Sequence, residues 1–180
     1  MPAYVAMLRG INVSGHKPIK MEDLRALCGD LGLRNVETYV QSGNILQSSL
    51  KNPTMIAKRI GAKIIESFGF EVPVIVRTSK EMRNVISKNP FLKENGIDSS
   101  KLHVTFLSEI VQKTSLEKLA ELSTSPDRFY PALREIYIYC PIGYGRTKLS
   151  NVGIEKALSV TATTRNWKTT NKLLEMVSKI

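Results

Sequence analysis

Residues 36–49 read VETYVQSGNILQSS, and this stretch decides the fold. Val36–Val40 has the β-branched and aromatic character of a strand, and Ile45 opens a second apolar run. Between them, Ser42-Gly43-Asn44 supplies residues that tolerate positive φ in a tight turn. Such a turn joins antiparallel neighbours, so the stretch is a hairpin, and its flanks set the architecture.

Upstream, KMEDLRALCGDLG (20–32) places Met21, Leu24, Leu27, Cys28 and Leu31 on one helical face, with Gly32 as the stop. Before it, AYVAMLRG (3–10) reads as a buried strand closed by glycine. Downstream, PTMIAKRIGAKIIESFGF (53–70) is a helix with a stripe of Ile56, Ile60, Ile64 and Phe68 and with Pro53 at its start. EVPVIVRT (71–78) returns as a strand, and Pro73 limits it to an edge or a beginning. The order β-α-β-β-α-β predicts an antiparallel sheet with its helices on one face.

The second half is looser. SKEMRNVISKNPF (79–91) is a short helix stopped at Asn89-Pro90, and KLHVTFLSE (101–109) is a strand. SLEKLAELS (115–123) is a helix, and REIYIYCP (134–141) is a strand with alternating apolar residues. Helices from Leu149 to Leu158 and from Trp167 to about Val177 finish the chain. No linker separates the halves and no sequence repeat is visible. The expectation is one α+β domain over 1–180, with a first half of about 1–78 and a second of about 79–180.

Composition narrows the function classes. A 42% hydrophobic, 23% charged chain is that of an ordinary globular protein, and no apolar run is long enough to span a bilayer, so no membrane partner is expected. The opening MPAYVAMLRGIN lacks the basic region and cleavage site of a signal peptide, which points to the cytoplasm. Cys28 and Cys140 sit in apolar settings and read as reduced core thiols, with a structural disulfide as the alternative. His16 and His103 lack partners at ligand spacing, so neither metal nor cofactor is expected. The net charge of +10 and pI near 9.7 favour anionic partners, nucleic acid included. The excess is strongest after Gly143, where Arg146, Lys148, Lys156, Arg165, Lys168, Lys172 and Lys179 face only Glu155 and Glu175.

Three polar motifs interrupt the patterned elements. LRGINVSGHKPIKM (8–21) contributes Arg9, Gly10 and Asn12, with glycines that let a ligand approach the backbone. It lacks the Gly-x4-Gly-Lys-Ser/Thr pattern of a phosphate-binding P-loop. QSGN (41–44) contributes Ser42, Gly43 and Asn44. GYGRTKL (143–149) and TATTRNW (161–167) contribute Lys148, Thr164, Arg165, Asn166 and Trp167. In the last, Thr163 or Thr164 reads as a helix N-cap and Trp167 as the first core anchor or, alternatively, a surface on which a base stacks. Arg165 then falls in a first helical turn, where its charge opposes the macrodipole unless an anion is bound. Glu155 reads as a partner of Lys148 or of solvent. The polar side chains of this set are hydrogen-bond donors and none is acidic, which argues against carboxylate acid/base chemistry and metal-assisted hydrolysis.

These segments resemble the bacterial family called domain of unknown function 1697. The Leu-Arg-Gly-Ile-Asn, Gln-Ser-Gly-Asn and Thr-x-Arg-Asn-Trp segments, in that order, carry the resemblance. It implies an α+β fold of two ferredoxin-like halves, and it places signature positions at Arg9, Gly10, Asn12, Ser42, Gly43, Asn44, Lys148, Arg165, Asn166 and Trp167. Ser14 stands where the family often has glycine, and Thr147 where serine is commoner. The resemblance implies no activity.

The residues favour binding of an anion: a phosphorylated small molecule, a nucleotide or a nucleic-acid backbone. One alternative is an enzyme acting on a phosphorylated or carboxylated substrate, with Ser42 or His16 moving a proton. The other is a structural or partner-binding domain whose motifs lock the fold.

Overall fold

A computed structural model of the protein describes residues 1–180, which form two compact units. The first comprises Met1–Asn84 with Lys172–Ile180, and the second Val85–Asn171.

In the first unit the hairpin forms as expected, with β2 (Arg34–Tyr39) antiparallel to β3 (Asn44–Ser48). β1 (Ala3–Leu8) pairs with β3 on one side and β4 (Val74–Thr78) on the other, all antiparallel, giving the order β2-β3-β1-β4. Pro73 immediately precedes β4, an edge strand, where its missing N–H costs no central ladder bond. Helices α1 (Met21–Asp30) and α2 (Pro53–Phe68) supply the other layer. α2 begins where Asn52 accepts from the Met55 N–H, with Pro53 in the first turn. Its Ile56, Ile60 and Ile64 are buried with Tyr4, Ala6, Leu8 and Ile45 from the sheet. Truncating such an isoleucine to alanine typically costs about 2–5 kcal/mol. α3 (Ser79–Ser87) follows β4.

The second unit repeats the plan. Its elements are β5 (Leu102–Leu107), α4 (Leu116–Leu122), β6 (Arg128–Pro131), β7 (Glu135–Tyr139), α5 (Asn151–Leu158) and β8 (Ala162–Asn166), and the four strands form an antiparallel sheet of order β6-β7-β5-β8. Leu119, Ile154 and Leu158 pack with Leu107, Ile136 and Ile138. α6 (Trp167–Val177) closes the chain, and the boundary between units runs through it. Both sheets have the ferredoxin-like strand order. The repeat is one of topology and register, which is why no recurring residue string betrays it.

One expectation is corrected here. ATTRN (162–166) is not the polar approach to a helix but strand β8, hydrogen-bonded to β5 from Ala162 to Asn166. Its threonines are β-branched residues in a strand that packs on both faces.

Candidate functional site

The first two motifs meet at one end of the first sheet. Between β1 and α1, Gly10, Asn12, Ser14, Gly15 and Lys17 all have positive φ, from +47° to +77°. Ser14 and Gly15 are the centre of a tight turn closed by the His16 N–H donating to the Val13 carbonyl at 2.9 Å. Asn12 holds this loop. Its Oδ1 accepts from the Ile19 N–H (2.8 Å), while its Nδ2 donates to the Ile19 carbonyl (2.9 Å) and to the Gln41 carbonyl (2.8 Å). The side chain thus acts as a short piece of backbone, pairing with Ile19 and bridging to the β2–β3 turn.

That turn is built to be approached. Gly43 has φ +78°, and a Cβ there would lie 2.6 Å from Ile11 Cδ1 and 3.0 Å from Leu8 Cβ. Its carbonyl accepts from the Leu8 N–H at 2.9 Å. Asn44 is fully buried, with Nδ2 donating to the Tyr39 carbonyl (3.0 Å) and to Ser42 Oγ (3.2 Å). Lys17 Nζ donates to the Glu71 carbonyl at 2.6 Å, and the Arg9 N–H to the Pro73 carbonyl at 2.9 Å. Arg9 and Gly10 are partly exposed; Ser42 and His16 are exposed.

The third motif lies in the second unit. Asn166, not Thr163 or Thr164, caps α6: its Oδ1 accepts from the Thr169 N–H at 2.7 Å. Arg165 therefore precedes the helix and sits in β8, so the expected conflict with the macrodipole does not arise. Alternation along β8 sends Thr164 and Arg165 to opposite faces. Thr164 donates to Asn151 Oδ1 at the start of α5 and takes the Thr105 hydroxyl proton, both at 2.7 Å. Arg165 Nη1 donates to Thr163 Oγ1 (2.8 Å) and to the Thr164 carbonyl (3.0 Å). Burial pulls its guanidinium down to about 10, opposed by the nearby Tyr144. The Tyr144 ring stacks on His103 at 4.7 Å, and burial keeps the His103 imidazole below its ordinary range, against a hydrogen bond to the Lys101 carbonyl.

Trp167 is buried as the first member of a stripe continued by Thr170, Leu173 and Val177. Lys148 is exposed, and its carbonyl lies against Gly153, where a Cβ would strike it. Glu155 has a structural role as well, since its Oε1 accepts from the Ala162 N–H at 3.0 Å and ties α5 to the start of β8. The two cysteines are free, buried thiols, pushed up by desolvation to about 12 for Cys28 and about 11 for Cys140. Neither is a thiolate nucleophile at neutral pH.

One residue escaped the sequence reading. Arg77 in β4 is fully buried and pairs with Val5 of β1, as Arg165 pairs with Val104 of β5. Each is followed by a capping residue and a helix, and each donates to the carbonyl just before it, that of Val76 at 3.2 Å in the first case. The available signal was that recurrence: an apolar or β-branched run, then Arg, then Thr or Asn, then a helix.

A solved structure described as a conserved bacterial protein, SP0830 from Streptococcus pneumoniae, shares the fold with a TM-score of 0.76 over 98% of each chain, at 21% identity. Among curated proteins none matches the chain. The family model for DUF1697, described as a protein of unknown function, matches residues 1–137, a span that takes in the Arg9–Lys20 loop and the hairpin and ends before Lys148. The chain therefore belongs to the DUF1697 family.

Proposed function

We propose that the protein binds a phosphate-bearing ligand, either a phosphorylated small molecule, a nucleotide or a nucleic-acid backbone, at the end of the first sheet formed by the Arg9–Lys20 loop and the β2–β3 turn. The observation that carries this reading is the concentration of left-handed backbone. Five of the eight residues Gly10–Lys17 have positive φ, and three of the five are not glycine. In residues other than glycine such conformations cost of order 1–3 kcal/mol each and persist where the surroundings over-determine them, as at ligand-binding segments. Successive turns of this kind display backbone N–H groups into concavities suited to anions.

In this reading the loop amides, the Arg9 guanidinium and the Ser42 hydroxyl contact the ligand. Asn12, Gly43 and Asn44 hold the frame, as their hydrogen bonds and packing support. The net charge of +10 adds long-range attraction for an anion. The proposed setting is the cytoplasm, and no helix is long and apolar enough to cross a membrane.

A second reading is favoured for the second-unit motif. Thr164 and Asn166 spend their side chains on internal bonds, and Arg165 and Trp167 are buried. These residues are framework, with Lys148 the exposed cation among them.

Thermal-shift measurement tests the two together. Inorganic phosphate, AMP, ribose 5-phosphate and a short RNA are added to the wild type, Arg9→Ala and Arg165→Ala. A ligand at 100 times its Kd adds about 2.7 kcal/mol to the native state. The expected result is a selective shift kept in Arg165→Ala and lost in Arg9→Ala, with Arg165→Ala less stable at the outset. No shift with any anion contradicts the binding reading.

A further inference from the structure

Gln47 is a buried polar side chain that the first unit leaves without an internal partner. It is fully buried, and neither its Nε2 nor its Oε1 has a hydrogen-bond partner within the protein. Its position is informative. Strand alternation puts it on the face that carries Ile45, Tyr4 and the helices, with Tyr4 directly across on β1. On its other side the β2–β3 register shifts: Arg34 pairs with Ser48 and Glu37 with Leu46, so Asn35 and Val36 together face Gln47 alone. This is a β-bulge, and Asn35 adopts φ +52° within it. A bulge interrupts the regular ladder, which sets the backbone N–H and C=O groups of Asn35 and Val36 beside Gln47 in irregular geometry. The neighbouring side chains do not serve: Asn35 Nδ2 is given to Ser48 Oγ, which lies on the other face of β3, Tyr4 makes no hydrogen bond to Gln47, and Val36 and Ile45 are apolar.

We infer that the bulge and Gln47 form a binding site for one ordered internal water, which bridges the Gln47 amide to the backbone of Asn35–Val36. An amide offers both donor and acceptor, and a buried water typically makes about three hydrogen bonds, so one molecule serves the side chain and the interrupted ladder together. The site accounts for an amide in a core where leucine would fill the same volume. It also anchors β2, the outer strand of the hairpin that carries the QSGN turn.

The test is solution NMR of the ¹⁵N-labelled full chain, with water-selective NOE and ROE spectra of the wild type and Gln47→Met. ROE sign separates dipolar contact from direct exchange of the amide protons with solvent, and the same spectra of Tyr4→Phe remove relay through the hydroxyl across from Gln47. The expected result is a direct, long-lived water contact to the Gln47 side-chain amide protons and to the Asn35 or Val36 amide. Both are lost in Gln47→Met while the other amide resonances stay dispersed. Absence of a direct water contact at the wild-type Gln47 amide overturns the inference, and that measurement stands even if the variant does not fold. Survival of the backbone water contact in a folded Gln47→Met also overturns it.

Discussion

The same β–α connection is made twice in this chain, in two different ways. In the first unit β1 leads to α1 through Arg9–Lys20, a loop with five left-handed residues clamped by the Asn12 side chain. In the second, β5 leads to α4 through Ser108–Ser115, where no residue has positive φ. The adjoining turns differ likewise. Gly43 and Val40 are left-handed in the first hairpin, whereas Ala132–Arg134 in the second is not. Shared bonds show that the positions correspond: the Leu8 N–H donates to the Gly43 carbonyl, and the Leu107 N–H to the Arg134 carbonyl, each at 2.9 Å. Where the first unit bridges loop to turn with Asn12, the second does so with backbone, from the Val111 N–H to the Leu133 carbonyl at 3.0 Å. Connecting two elements on this scaffold thus requires no strain. The left-handed residues of the first loop are therefore not required by the connection itself, which is the physical case for the ligand site proposed there.

The largest expected effect comes from Gly43→Ala. It meets Ile11 and Leu8 and must hold a left-handed backbone, so it should cost about 2–4 kcal/mol in urea unfolding. At the corresponding Arg134 a change to alanine should cost well under half of that, since a side chain already occupies the position. Equal losses would break the comparison.

Asn12→Ala removes three hydrogen bonds and should cost about 2–3 kcal/mol, with faster hydrogen exchange across Gly10–Lys17. Val111→Ala leaves the backbone bridge of the second unit intact and should leave exchange in its loop unchanged.

The helix caps sharpen the picture at smaller scale. α3 begins with a reciprocal box, in which Thr78 Oγ1 accepts from the Glu81 N–H and the Glu81 carboxylate from the Thr78 N–H. α6 has the single Asn166 bond. Asn166→Ala should cost about 1 kcal/mol, and Thr78→Ala somewhat more.

The smallest effect is one of pH. His103 stands in β5 where Tyr4 stands in β1, opposite Asn166 and Thr78 respectively. Burial lowers the folded-state pKa of His103 below its ordinary 6.5. The unfolded chain therefore binds the proton first, and stability falls as pH drops below about 6.5, until the folded-state imidazole also titrates. His103→Tyr should remove that part of the pH dependence, as read by denaturation midpoints between pH 7.5 and 5.

The first unit was legible in the sequence because its signals are local. A hairpin turn at Ser42–Asn44, helical stripes in 20–32 and 53–70, and Pro53 at a helix start each act within a few residues. β6 was missed because Arg128–Pro131 is four residues long and ends in proline, and only its pairing with β7 makes it a strand. β8 was missed because threonine serves both caps and strands, and pairing with β5, some sixty residues away, decides between them. At the candidate site, the glycines of the first loop announced a backbone feature. The bridge from Asn12 to Gln41 depends on a contact between distant residues that spacing does not encode. Arg77 was hidden by ordinary surroundings in VIVRT and becomes visible only beside Arg165.

The most direct test of the central claim is amide chemical-shift mapping of the ¹⁵N-labelled protein titrated with inorganic phosphate and with AMP. The account predicts saturable shifts concentrated in Arg9–Lys17 and Gln41–Asn44, with Ser108–Ser115 unmoved. Shifts confined to Lys148 and its neighbours, or no saturable shift with either probe, would contradict it.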